Sequence, residues 1–101
     1  MAASVVRIKD ALETYSQAIE HQDLDTLRSV REPLTAAESA QAQSASPTVV
    51  HFSEVDVRTD GKTAEVRARR AISVGGASKA NGYVAIHLSR RPVGWVITDI
   101  R

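Results

Sequence analysis

Three histidines, His21, His51 and His87, are the side chains best suited to proton transfer or metal ligation near neutral pH. No two of them stand at a metal-ligand spacing. The chain has no cysteine, so it offers no thiolate chemistry, disulfide framework or zinc pattern. His21 falls where a helix should end and a cation suits the dipole, and His87 falls on a strand surface. Serines are many, yet none sits in a Gly-x-Ser-x-Gly elbow. Gly61-Lys62-Thr63 matches the end of a phosphate-binding loop. The glycine required five residues earlier is Asp56, and a strand rather than a helix follows, so the match is local only. Arg70 stands apart. Val66, Ala68, Arg70, Ile72 and Val74 share one parity of an extended run, so Arg70 points at the apolar face. A guanidinium there needs a partner. Asp99 or Glu38 could supply it from within the chain, or an anionic ligand from outside. No metal, cofactor or catalytic signature follows from these residues.

The elements that must position them centre on one hairpin. The runs on either side of Asp60-Gly61 are extended and alternate in polarity, and Asp-Gly between such runs is a strong hairpin signal. A two-residue turn there sets Val57 opposite Ala64, Val55 opposite Val66 and Asp56 opposite Glu65. Continued without interruption, this phase turns His51 inward and Phe52 outward, which is unfavourable. A bulge near Ser53-Glu54 would bring Val50 and Phe52 to the core instead. Strands are expected over about 48–58, 63–74, 83–90 and 95–101. Gly75–Gly82 reads as a mobile loop, and Arg91-Pro92-Val93-Gly94 as a turn.

Ahead of the hairpin, Val5, Ile8, Leu12, Tyr15 and Ile19 recur at helical spacing behind Ser4, a possible N-cap. This predicts a helix over about 5–21. Asp23 caps a second over about 24–31, where Arg28 and Arg31 suit the C-terminal end. Thr35-Ala36-Ala37-Glu38 is a capping box opening a third over about 36–44. The fold class expected is α+β: three N-terminal helices on one face of a curved four-stranded antiparallel meander.

At 101 residues the chain is a single domain, 1–101, by size. A net charge of +1 argues against steering to nucleic acid or an anionic membrane. Arg67, Arg69, Arg70, Arg90 and Arg91 give a basic look, but Arg67 and Arg69 alternate outward as a solvated face, and Trp95 and Tyr83 are too few aromatics for base stacking. The N-terminal residues have no apolar core of a signal peptide, and no stretch is long and apolar enough to span a bilayer. Localisation stays open.

The order of these elements, with Ala11-Leu12, Tyr15, Ala18-Ile19-Glu20, Asp23-Leu24-Asp25 and Leu27 in front and Gly61-Lys62-Thr63-Ala64, Val66 and Gly94-Trp95-Val96-Ile97 behind, resembles the nuclear transport factor 2-like (SnoaL-like) superfamily. It is most similar to the small domains appended to bacterial serine/threonine kinases and regulatory proteins. The resemblance implies a sheet curled around the first helix into a cone with a pocket. It also implies either a non-catalytic ligand-binding or dimerisation module or a small lyase or isomerase. The isomerase branch carries a carboxylate base on a strand just after the second helix. Here Pro33–Pro47 takes its place, with Glu38 as its only acid. Tyr15, Phe52, Arg70 and Trp95 are the expected pocket lining, for a small apolar or anionic ligand. Asp99 or His51 would serve an enzyme if either faced inward, and a filled scaffold would show no cavity. The uncharged outward residues Tyr83, Ala85, His87, Val96 and Thr98 suggest a two-fold homodimer through the outer sheet face.

Overall fold

The computed structural model describes residues 2–101, with side chains described from Ser4 onward. Helix α1 runs Ala2–Glu20, α2 Leu24–Val30 and α3 Ala36–Ala42. Strands β1 (Thr48–Thr59), β2 (Thr63–Val74), β3 (Ala77–Arg91) and β4 (Gly94–Ile100) form one antiparallel sheet in the order β1-β2-β3-β4. Helix α1 lies across the sheet, and its stripe Ile8, Leu12, Tyr15 and Ile19 meets Val66, Ala68, Ile86, Leu88 and Ile97 in one buried core. The expected fold class is the observed one. No helix among the described residues is long and apolar enough to cross a membrane.

Three details of the sequence reading need correction. Ser4 lies inside α1 and does not cap it, because the helix already runs from Ala2. Gly75–Gly82 is not a loop. Gly75 and Gly76 both take positive φ, 59° and 85°, the conformation a tight two-residue hairpin needs. Strand β3 therefore begins at Ala77, and Ala77, Ser78, Ala80, Asn81 and Gly82 pair with β2 despite their weak strand propensity.

The first hairpin closes differently from the two-residue Asp60-Gly61 turn. The Asp60 N–H donates to the Thr63 carbonyl, and the Asp60 carboxylate accepts from the backbone N–H groups of Lys62 and Thr63 at 2.8 Å each. Val57 then faces Val66, Asp56 faces Arg67 and Arg58 faces Glu65. The change of two residues preserves the faces and sets opposite charges across the strands, where the shorter turn would oppose Asp56 and Glu65.

The bulge is present. The register slips between Ser53 and Asp56, and Glu54 takes φ 51°. Val50 is buried, Phe52 half-buried and His51 exposed, so His51 does not face the core. A second slip lies between β3 and β4, where His87 pairs with Asp99 but Leu88 pairs with Ile97. Thr98 is the extra residue. It turns Ile100 inward beside Ile86 and Asp99 outward beside His87, so Asp99 does not face the core either.

Candidate functional site

The inward chemistry gathers where α1, the α2–α3 connection and β2 converge. Helix α2 ends at Val30, and Arg31 takes extended backbone instead of finishing the helix. It forms a parallel bridge to Ile97, and the Glu32 N–H donates to the Ile97 carbonyl at 2.9 Å. This excursion drives the Arg31 side chain into the core, where it is 5% exposed. Glu38 reaches the same place from the first turn of α3. The Thr35 hydroxyl accepts from the Glu38 N–H at 3.1 Å, and the Glu38 Oε1 accepts from the Thr35 N–H at 3.0 Å.

The capping box thus aims the Glu38 carboxylate inward. Arg31 Nε donates to both of its oxygens, at 3.0 and 2.9 Å. The Tyr15 hydroxyl donates to Oε2 at 2.5 Å. Burial alone would raise the Glu38 pKa. Donation from Tyr15, Arg31 and the Thr35 backbone outweighs it and holds the carboxyl below its ordinary 4.5. Tyr15 moves the other way: burial, then its hydrogen bond to Glu38, push the phenol far above its ordinary value. The trio is therefore a fixed ion pair with a neutral phenol leaning on it.

Beside it opens a cavity of about 220 Å³, walled by Tyr15, Arg31, Glu38, Val50, Arg70 and Ile72 among others. Arg70 is half-buried on its β2 wall, with Phe52 across on β1 and Gly82 across on β3. Among the described residues it enters no ion pair. Neither internal partner foreseen for it is used. Glu38 is taken by Arg31, and Asp99 lies on the outer face paired with Arg101.

Of the four expected lining residues, Tyr15 and Arg70 share this cavity. Phe52 packs its ring 6.1 Å from that of Tyr15, but it lines a separate groove beside Leu12 and Val55. Trp95 is not in the cavity. It sits at the start of β4, by Arg7 and Val93. On the outward face Tyr83 is 68% exposed, Ala85, His87 and Thr98 are half-buried, and Val96 is buried at 4%. No cluster of three or more metal-ligating side chains occurs among the described residues. Arg31 was missed as a site residue because helical spacing assigns it to the end of α2. Its position directly before Glu32-Pro33, where backbone must leave the helix, was the available signal.

No family model matches the chain, and no curated protein is significantly similar to it in sequence. Solved structures are. A candidate dehydratase of the NTF2-like family from Streptomyces avermitilis superposes with a TM-score of 0.78 at 16% identity, over 96% of this chain and 93% of that one. A candidate aromatic ring hydroxylase from Novosphingobium aromaticivorans gives 0.77 at 19% identity, over 99% and 87%. An NTF2-like protein with a cystatin-like fold from the same organism gives 0.76 at 16% identity, over 98% and 80%. At such identities the likeness is one of architecture: the chain has the NTF2-like fold.

Proposed function

We propose that this domain is a non-catalytic binding module for a small anionic molecule, held in the cavity between α1, α3 and β2. The observation that carries the proposal is Arg70, a half-buried guanidinium on the cavity wall whose two possible internal partners are engaged elsewhere. With Arg31 and Arg70 against Glu38, the cavity wall carries one positive charge more than negative. At about 220 Å³ it is below the usual range of roughly 300–1,000 Å³ for ligand pockets, which suits a carboxylate of few heavy atoms. A filled scaffold would leave no such space. The appended, regulatory setting implied by the resemblance fits a module that senses a metabolite. Two copies joined by the outward face around Tyr83 and His87 would leave this cavity open.

Structural neighbours described as a candidate dehydratase and a candidate ring hydroxylase raise the enzymatic alternative. A lyase or isomerase of this fold needs an inward base. His51 is exposed and Asp99 outward, which leaves Glu38, whose oxygens already accept four hydrogen bonds.

The test is calorimetric titration of the protein and of Arg70→Gln with benzoate, butyrate and their uncharged amides. Carboxylate binding that disappears in Arg70→Gln and is absent for the amides is expected. Equal affinity for acid and amide, or binding indifferent to Arg70, refutes the proposal.

A further inference from the structure

A second basic site lies at the opposite end of the core from Arg70. Arg7 on α1 and Arg90 and Arg91 at the end of β3 line one depression of about 440 Å³, with Ser4, Val93 and Trp95. No carboxylate lines it among the described residues. Arg7 and Arg90 enter no ion pair among those residues, and Arg91 meets only Glu32, at 3.6 Å and largely in solvent. The chain as a whole balances thirteen basic against twelve acidic residues, so three guanidiniums around one hollow, with Glu32 the single acid paired to any of them among the described residues, are a local excess.

The surroundings are partly apolar. Arg7 projects from a helix anchored by the buried Ile8, and Arg90 from a strand paired to β4 opposite Trp95. Trp95 is only 6% exposed and forms the floor, while Val93, at 89% exposure, stands at the rim of the Pro92-Val93 turn.

The geometry points to a binding site for a phosphate monoester, its phosphoryl group between Arg7 and Arg90 and its organic part along Val93 and Trp95. Guanidinium presents paired N–H donors that match phosphoryl oxygens, and several such groups suit a dianion better than a single carboxylate. The hollow is larger than a bare oxyanion needs, so a substituent is accommodated as well. The same chemistry arises from a soluble ester or from a lipid headgroup at a membrane surface.

Two arms separate these sources. In the first, the isotope-labelled protein is titrated with phenyl phosphate and followed by amide and indole shifts. The largest shifts should fall on the Arg90–Trp95 segment and the first turns of α1. Arg7→Gln/Arg90→Gln should weaken binding about tenfold, the scale of one strong charge-assisted hydrogen bond. Arg67→Gln on the outer face should leave it unchanged. In the second arm, sedimentation with phosphatidylcholine vesicles, with and without phosphatidic acid, is measured for the same variants. Capture by phosphatidic acid that depends on Arg7 and Arg90, with phenyl phosphate weak, assigns the headgroup. The reverse assigns a soluble ester. Absence of both, or equal weakening by Arg67→Gln, overturns the site. The two hollows share no lining residue, so shifts confined to Arg90–Trp95 and α1 report this site and shifts around Glu38 and Arg70 the first cavity, and either can fail alone.

Discussion

Replacing Glu38 by glutamine removes one charge and almost no volume from the buried cluster of Tyr15, Arg31 and Glu38. Arg31 and Glu38 have side-chain exposures of 5% and 9%, so the guanidinium that remains has little water to replace its counter-charge. Breaking a buried ion pair from one side costs about 3–5 kcal/mol, mostly because the other charge is stranded. A domain of this length is stable by roughly 5–15 kcal/mol, so the substitution should remove at least a fifth, and up to most, of the folding free energy. At about 4–8 °C per kcal/mol, Tm should fall by roughly 12 °C or more. Urea denaturation of the wild type, Glu38→Gln, Glu38→Met, Arg31→Met and Arg31→Met/Glu38→Met supplies the assay. The double variant should be closer to wild type than either single one, since it strands no charge. The acid limb supplies an independent check. Glu38 is held below its ordinary 4.5, so its contribution is complete above that pH and is lost as pH falls from 4.5 through the folded value. Glu38→Gln should flatten stability against pH in that window. A loss under about 1 kcal/mol for Glu38→Gln, or single costs that simply add in the double variant, would refute the reasoning.

Other substitutions probe the same architecture. Tyr15→Phe removes a hydrogen bond to a charged acceptor and should cost about 1.5–3 kcal/mol by urea denaturation. In alkaline titration the wild-type Tyr15 phenol should ionise only as the protein unfolds, since burial and then Glu38 hold its pKa up. Ile97→Ala deletes a fully buried side chain from the centre of β4 and should cost about 2–5 kcal/mol with an unchanged helical circular dichroism spectrum. The homodimer should appear by sedimentation at micromolar concentration and dissociate in Tyr83→Lys. A wild-type monomer throughout that range removes it.

Much of this arrangement was legible before any coordinates. Phase arguments found the bulge at Glu54, because leaving Phe52 in water and His51 in the core was the worse alternative. The same logic applied to charge would have found the hairpin register. A two-residue turn opposes Asp56 and Glu65, and sliding by two residues pairs both with arginines at no loss of apolar contact. Gly75-Gly76 was legible as a tight turn, but the weak strand character of Ala77–Gly82 hid the strand behind it; pairing to β2, not propensity, holds those residues. The bulge at Thr98 left no signal. Nothing local distinguishes Asp99 outward from Asp99 inward, because the slip is decided by Ile100 reaching the core beside Ile86. Arg31 is a failure of another kind. Its destination is set by a backbone bridge to Ile97, sixty-six residues away, which helical periodicity cannot express.

That bridge bears on whether the cavity does chemistry. A general base must have a lone pair free to meet the substrate and a pKa near the working pH. Among the described residues Glu38 is the one carboxylate lining the cavity, so it is the group an enzyme here would use. Yet Arg31, Thr35 and Tyr15 take up its oxygens and hold its pKa down, the opposite of the tuning that proton abstraction requires. Tyr15 is no better as an acid, since a phenol with a raised pKa donates a hydrogen bond but gives up its proton reluctantly. Each feature that would weaken catalysis also stiffens the wall opposite Arg70. A wall already satisfied within itself, across from an Arg70 that enters no ion pair among the described residues, is what the proposed binding of an unreacting anion requires.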